Sequence, residues 1–158
     1  MRTGFSTTVH IRVPPEQVFW FLADPATAPV IDPAVVSYTP DGGAMGLGVQ
    51  NQMRLRVLGV PIKLTSVTTA WEPGEQMEFR SVTPSRPTVG LANHRFERCG
   101  EGTDYTWSME FTRTGFGGRL AAAVGAVMFE RNAKAQQQRV RVVLEAIASS
   151  TVPRLQCD

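Results

Sequence analysis

Apolar and polar residues alternate from Phe5 to Val13, with Val9, Ile11 and Val13 on one side and Thr8, His10 and Arg12 on the other. A period of two predicts a half-buried strand. Pro14-Pro15 ends it and opens a helix, because proline suits the first helical turn. Glu16 stands at the positive end of that helix, and Val18, Phe19, Phe21 and Leu22 give it an apolar face through Ala23. Asp24-Pro25 reads as an N-cap with proline behind it, starting a second short helical piece that runs to Ile31. Asp32-Pro33 releases the chain into an edge-like strand, Val35 to Tyr38, and Pro40-Asp41-Gly42-Gly43 turns it.

A meander follows. Leu47 to Leu58 alternates, with Leu47, Val49, Met53, Leu55 and Val57 on one face and Gln50, Gln52, Arg54 and Arg56 on the other. Gly59-Val60-Pro61 turns the chain into a Thr-rich strand, Ile62 to Trp71, whose parity slips near Ser66-Val67 and predicts a bulge there. Glu72-Pro73-Gly74 is the next turn, and Met77 and Phe79 oppose Glu78 and Arg80. Pro84 to Pro87 is a longer connection before a strand from Thr88 to Glu97. Gly100-Glu101-Gly102 closes a hairpin onto a strand carrying Tyr105, Trp107, Met109 and Phe111 on one face. Strands at this spacing without helical crossovers pair antiparallel.

Gly115 to Gly118 breaks the sheet, as a hinge, and one helical stretch runs from Gly118 to Ser149. Ala122, Ala126, Phe129, Ala133, Val140, Leu144 and Ile147 recur at three- and four-residue steps, which predicts an inward face on a helix of about 45 Å. Its first half, Leu120 to Phe129, is apolar almost all round and suits a cavity wall or a partner surface. The expected fold is therefore α+β: a curved antiparallel sheet of about seven strands around a long C-terminal helix, with two short helices after the first strand. Residues 1–150 form a single domain, and 151–158 read as a disordered tail.

Composition narrows the function classes. A chain of 158 residues fits one domain with a substantial core. Its net charge is +2 with the cations scattered, so no nucleic-acid footprint is expected. The N-terminus has no apolar signal segment, and Leu120 to Phe129 is too short to span a bilayer. Stable membrane insertion is not expected, and the expected compartment is the cytoplasm. The two cysteines, Cys99 and Cys157, make neither a disulfide framework nor a metal site. With only His10 and His94 as histidines, no metal and no cofactor are expected.

Strand parity singles out two polar residues on faces that otherwise read as buried. Asn51 shares the face of Val49, Met53 and Leu55, and His94 that of Ala92 and Phe96. Buried polar groups need hydrogen-bond partners. A ligand with a polar head supplies them; so does a neighbouring side chain or the sheet backbone. His94 is also the candidate general base of a catalytic reading, with Tyr105 beside it. Met53, Phe79, Phe96, Trp107, Met109 and Phe129 are the aromatic and thioether set expected around an apolar ligand, or of a plain core. Gln136 lies near the inward helix face but suits a solvated position, and Asp24 and Asp32 read as caps rather than as an acid/base pair.

The pieces in order resemble the START-like (SRPBCC, helix-grip) superfamily and, within it, the polyketide cyclase/dehydrase-like branch. The residues that carry the resemblance are Val13-Pro14-Pro15-Glu16-Gln17-Val18, Leu22-Ala23-Asp24-Pro25, Ile31-Asp32-Pro33 and Gly46-Leu47-Gly48, then Ala70-Trp71-Glu72-Pro73 and His94-Arg95-Phe96-Glu97. Gly102-Thr103, Trp107-Ser108-Met109-Glu110-Phe111 and Leu144-Glu145 complete it over residues 3–149. Ile31 stands where related chains often carry tryptophan. The resemblance implies an apolar cavity between sheet and helix that binds a lipid, a quinone or a polyketide-like molecule. Its alternatives are a polyketide cyclase, aromatase or dehydratase using such a pocket, and a regulatory interaction module. The oligomeric state, including a homodimer, stays open.

Overall fold

The structure, a computed structural model, describes residues 3–82, 90–111 and 118–151, and the side chains of all of these except 3 and 118–126. Among them lie seven strands: β1 (Thr3–Ile11), β2 (Val35–Pro40), β3 (Gln50–Val57), β4 (Val60–Glu72), β5 (Gln76–Ser81), β6 (Leu91–Cys99) and β7 (Gly102–Phe111). Helix α1 (Pro15–Ala23), a 3-10 turn at Pro25–Thr27 and α2 (Ala28–Ile31) follow β1, and α3 (Gly118–Thr151) closes the chain. The sheet is antiparallel throughout in the order β1-β7-β6-β5-β4-β3-β2, so β1 and β2 are its edges.

Alternation places the core where the pattern of β1 predicts it. Val9, Ile11 and Val13 are buried, and so are Phe5 and Thr7 on the same face. They meet Val18, Phe19 and Ala23 of α1, Met77, Phe96 and Tyr105 of the sheet, and Val140 and Leu144 of α3. Pro15 starts α1, and Asp24 caps the turn after it, its Oδ1 accepting from the Ala26 N–H at 2.9 Å.

Three expectations shift. Leu47 is 69% exposed and lies outside β3, because Gly48 has a left-handed φ of 76° and the Val49 N–H bonds back to the Gly46 carbonyl in a tight turn. The β4 irregularity falls between Thr68 and Ala70, against β5, while the β3–β4 ladder is regular through Gln50↔Val67. Ile147 is 52% exposed, because the inward face of α3 continues from Val140 and Leu144 to Ala148 instead. The predicted connection Pro84–Pro87, the start of β6 at Thr88, the hinge 115–117, the inward positions Ala122 and Ala126, and the tail 152–158 with Cys157 lie outside the described residues or side chains; the helix itself reaches Thr151.

Helix α3 packs on β1 and β7 and touches α2. At its centre Gln137 is almost wholly buried and bridges the layers. Its Nε2 donates to the carbonyls of Thr7 (3.0 Å) and Tyr105 (3.1 Å), and its Oε1 accepts from the Thr7 hydroxyl at 2.7 Å. Replacing Gln137 leaves a buried hydroxyl and two carbonyls without this partner. Gln137→Ala is expected to cost about 2–4 kcal/mol in urea unfolding. Gln137→Glu is expected to cost more, because a carboxylate cannot donate to two carbonyls and its burial disfavours the charge.

Candidate functional site

Because strand pairing is in register, side chains line up in rows across the concave face of the sheet. Met77, His94, Trp107 and Thr7 form one row over β5, β6, β7 and β1; Phe79, Ala92, Met109 and Phe5 form the next. Helix α3 packs chiefly on β1, at one side of the sheet, and a space is left between it and the concave face of the strands beyond. That space is a cavity of about 230 Å³, walled by β2–β7, the α2 region and the Phe129–Gln136 stretch of α3.

Six of the nine residues singled out in the sequence line it: Met53, Phe79, His94, Trp107, Met109 and Phe129. Asn51, Phe96 and Tyr105 do not. Asn51 is buried at the β3 start, where its Nδ2 donates to the Thr68 hydroxyl (3.0 Å) and the Val49 carbonyl (3.2 Å); it holds the Gly46–Val49 turn to the sheet. Phe96 sits deeper in the core, stacked on Tyr105 at 5.3 Å and edge-on to Phe19. Tyr105 reaches the cavity only through His94, whose Nδ1 lies 2.7 Å from the phenol oxygen. Of the apolar stretch Leu120 to Phe129, Val127 and Met128 are exposed, and Phe129 packs on Phe111 at the cavity rim.

The His94 imidazole is sandwiched between Trp107 (5.2 Å) and Tyr105 (5.9 Å), with the edge of Phe79 at 6.0 Å. Burial among these rings lowers its pKa to about 4, so the ring is neutral at pH 7. Burial raises the Tyr105 pKa, so the phenol keeps its proton. The assignment that leaves no buried hydroxyl hydrogen unpaired has Tyr105 donating to Nδ1, which puts the ring hydrogen on Nε2. His94 then presents an N–H donor, and its basic lone pair is engaged by Tyr105. The Trp107 Nε1–H is buried and has no partner among the described residues.

A polar patch at the opposite wall was not foreseen. Asp32 is buried; its Oδ1 accepts from the Ala34 N–H (2.9 Å), the capping role expected of it. Its Oδ2 accepts from Gln136 Nε2 (2.5 Å) and Asn132 Nδ2 (3.4 Å), tying the α2 region to α3. Gln136 is thus buried on the cavity, not solvated. Its place beside Ala133, Gln137 and Val140 on the three-and-four ladder is the signal that marks it. Tyr38, whose pKa burial raises, and Ile31 complete this side. The described lining holds no lysine or arginine. A trio of exposed His10 and Cys99 with half-buried Asp104 has its ligand atoms within 4.8 Å of one another, and there His10 Nδ1 already pairs with Asp104 at 2.7 Å. No helix among the described residues is long and apolar enough to cross a membrane.

A curved sheet gripping one long helix around an apolar cavity defines the helix-grip class of fold. The chain belongs to the polyketide cyclase / dehydrase and lipid transport family, whose model matches residues 2–145. It thereby falls in the polyketide cyclase branch of the START-like superfamily. Among solved structures it is similar to the Zhui aromatase/cyclase from a Streptomyces species, at TM-score 0.71 and 21% identity over 92% of this chain and 94% of that one. It is also similar to the di-domain aromatase/cyclase StfQ of the steffimycin pathway, at TM-score 0.78 and 14% identity over 94% of this chain and 53% of that one. A third is the major latex-like protein 151 of Panax ginseng, at TM-score 0.70 and 11% identity over 89% and 96%. At these identities the likeness is one of fold. No curated protein matches in sequence.

The low His94 pKa has a measurable consequence. The unfolded chain takes up the His94 proton near pH 6.5 and the folded protein only near pH 4, so this contribution to stability is complete above about pH 6.5 and lost as pH falls to 4. Urea unfolding at pH 7 and pH 4 is expected to show a drop about 3 kcal/mol larger in the parent protein than in His94→Phe.

Proposed function

We propose that this protein binds a neutral hydrophobic small molecule bearing a carbonyl-type acceptor, such as a quinone, a polyketide-like ring system or a neutral lipid, between the sheet and α3. The observation that carries this reading is the lining itself: mostly thioethers, aliphatic side chains and aromatic rings, interrupted by a neutral imidazole donor and by two carboxylates, Asp32 held by amides and Asp24 engaged as a cap. A cavity of about 230 Å³ exceeds the roughly 150 Å³ of an apolar void that accommodates benzene. A free fatty acid fits poorly, since its carboxylate would find no lysine or arginine in the described lining and would share the space with Asp32. Membership of a family that includes lipid transport agrees with this reading. The exposed free thiol of Cys99 suits a reducing cytoplasm.

A second reading is catalysis of a cyclase, aromatase or dehydratase type. The observation in its favour is the His94–Tyr105 pair on one wall. A ring with a pKa near 4 whose Nδ1 is engaged is a weak general base at neutral pH, so His94 is better suited to polarising a carbonyl than to removing a proton. The third reading, an interaction module, draws on the exposed Val127, Met128 and Phe129 among the described side chains of its stretch.

Native mass spectrometry of the purified protein, alone and with a panel of neutral quinones and aromatic polyketides, is expected to show a one-to-one complex. Ala92→Trp, which fills the middle of the second row, is expected to weaken uptake at least about tenfold while the fold survives. Uptake that is indifferent to Ala92→Trp would place the ligand elsewhere. For the catalytic reading, His94→Phe is expected to abolish turnover of a bound polyketide while leaving a measurable complex; unchanged turnover would remove His94 from the chemistry.

A further inference from the structure

The β3–β4 hairpin ends in a turn that the fold alone does not explain. Leu58 is 93% exposed and holds a left-handed φ of 50°, followed by Gly59 at φ 80°. Two successive left-handed residues make the tight hairpin turn in which Asn-Gly or Asp-Gly is preferred. Leucine there is doubly unfavourable, since its Cβ strains the backbone and its side chain is in water. Asparagine would relieve both. A local rule broken without compensation inside the fold points to a requirement outside it.

The neighbours extend the feature. Met53↔Leu64, Leu55↔Ile62 and Val57↔Val60 are facing pairs, so all six side chains lie on the concave side. Met53, Leu55 and Leu64 line the cavity, whereas Ile62, Val57 and Val60 are 38%, 40% and 58% exposed. An apolar ramp thus runs from the cavity wall to the Val57–Val60 pair, about 7 Å beyond the Leu55–Ile62 pair, and on to Leu58 at the tip. The convex side carries Arg54, facing Lys63, and Arg56, all three exposed. Between Asp41 and Glu72 the sequence holds these three cations and no acidic residue.

An apolar protrusion with a cationic back and no nearby acid on its own strands matches a bilayer surface containing anionic lipid. The apolar residues enter the acyl boundary, and the long basic side chains reach the phosphates. We propose that the β3–β4 hairpin tip, Val57–Ile62, docks this protein on an anionic lipid surface, with Leu58 at the leading end and Arg54, Arg56 and Lys63 at headgroup level. Docking here sets the apolar ramp against the bilayer and gives a hydrophobic ligand a path that avoids water. The proposal stands apart from the identity of the cavity ligand, because docking is read without one.

The test is co-sedimentation of the full chain with phosphatidylcholine vesicles and with mixed phosphatidylcholine–phosphatidylglycerol vesicles. The parent protein is expected to pellet with the mixed vesicles, and less so at high salt. Leu58→Asn is expected to lower the partition coefficient about tenfold while the melting temperature stays level or rises, since asparagine tolerates the left-handed turn. Arg54→Gln/Arg56→Gln/Lys63→Gln is expected to remove the preference for anionic vesicles. A parent protein that stays in the supernatant, a Leu58→Asn variant that pellets equally well, or pelleting indifferent to lipid charge overturns the proposal. A concentration-dependent dimer that Leu58→Asn dissolves, in a protein that ignores vesicles, also overturns it and assigns the tip to a second copy of the chain.

Discussion

The architecture hangs on one buried amide. Gln137 is the point at which α3 is fastened to the sheet, through two carbonyls and a hydroxyl of β7 and β1. Hydrophobic packing of Val140 and Leu144 supplies area but little direction. The amide adds register, because its donors and acceptor match only one axial position of the helix. Since this attachment is to β1 and β7, at one side of the sheet, the helix stands off β3 and β4 and leaves the cavity between them. A helix centred on the sheet would have filled that space with its own side chains. The second polar tie, Asp32 with Gln136 and Asn132, closes the far rim by attaching the α2 region to the same helix.

Much of the fold was legible in the order of periods. Alternation located the strands, proline and glycine located the turns, and one three-and-four ladder located the closing helix. Parity also brought His94, Trp107, Met109, Phe79 and Met53 to one face, because a side-chain period of two leaves no ambiguity once a strand is recognised. The failures share a cause. Asn51 occupies the anticipated face, yet its side chain turns along the sheet to Thr68 and the Val49 carbonyl, and periodicity says nothing about rotamers. Phe96 and Tyr105 share parity with cavity residues but lie under α1 and α3, at a depth that a one-dimensional pattern does not encode. Asp32 was recognised as a cap through one oxygen, while the role of the other depends on a helix about a hundred residues later in the chain.

Polarity is distributed sparingly inside the molecule. The buried polar groups are mostly used up by other protein groups: Thr103 on the Val13 carbonyl, Thr7 on Gln137, Asn51 on Thr68. Two buried atoms, the Asn51 Oδ1 and the indole N–H of Trp107, have no partner among the described residues, and His94 stacks on Trp107 at the cavity wall. Neutral donors discriminate by geometry rather than by charge, and they lose less on desolvation than an arginine would. Under the proposed function such a pocket would orient a guest without demanding an ionised one.

The free margin of the sheet at β2 has a consequence of its own. This strand is short, its pairing with β3 slips between Val35 and Ser37, and it ends in Pro40, which has no amide hydrogen to offer. Such an edge is a poor template for a foreign strand, and its contacts with α2 and the 3-10 turn cover part of it. The wall beside the cavity can therefore stay unpaired without inviting aggregation.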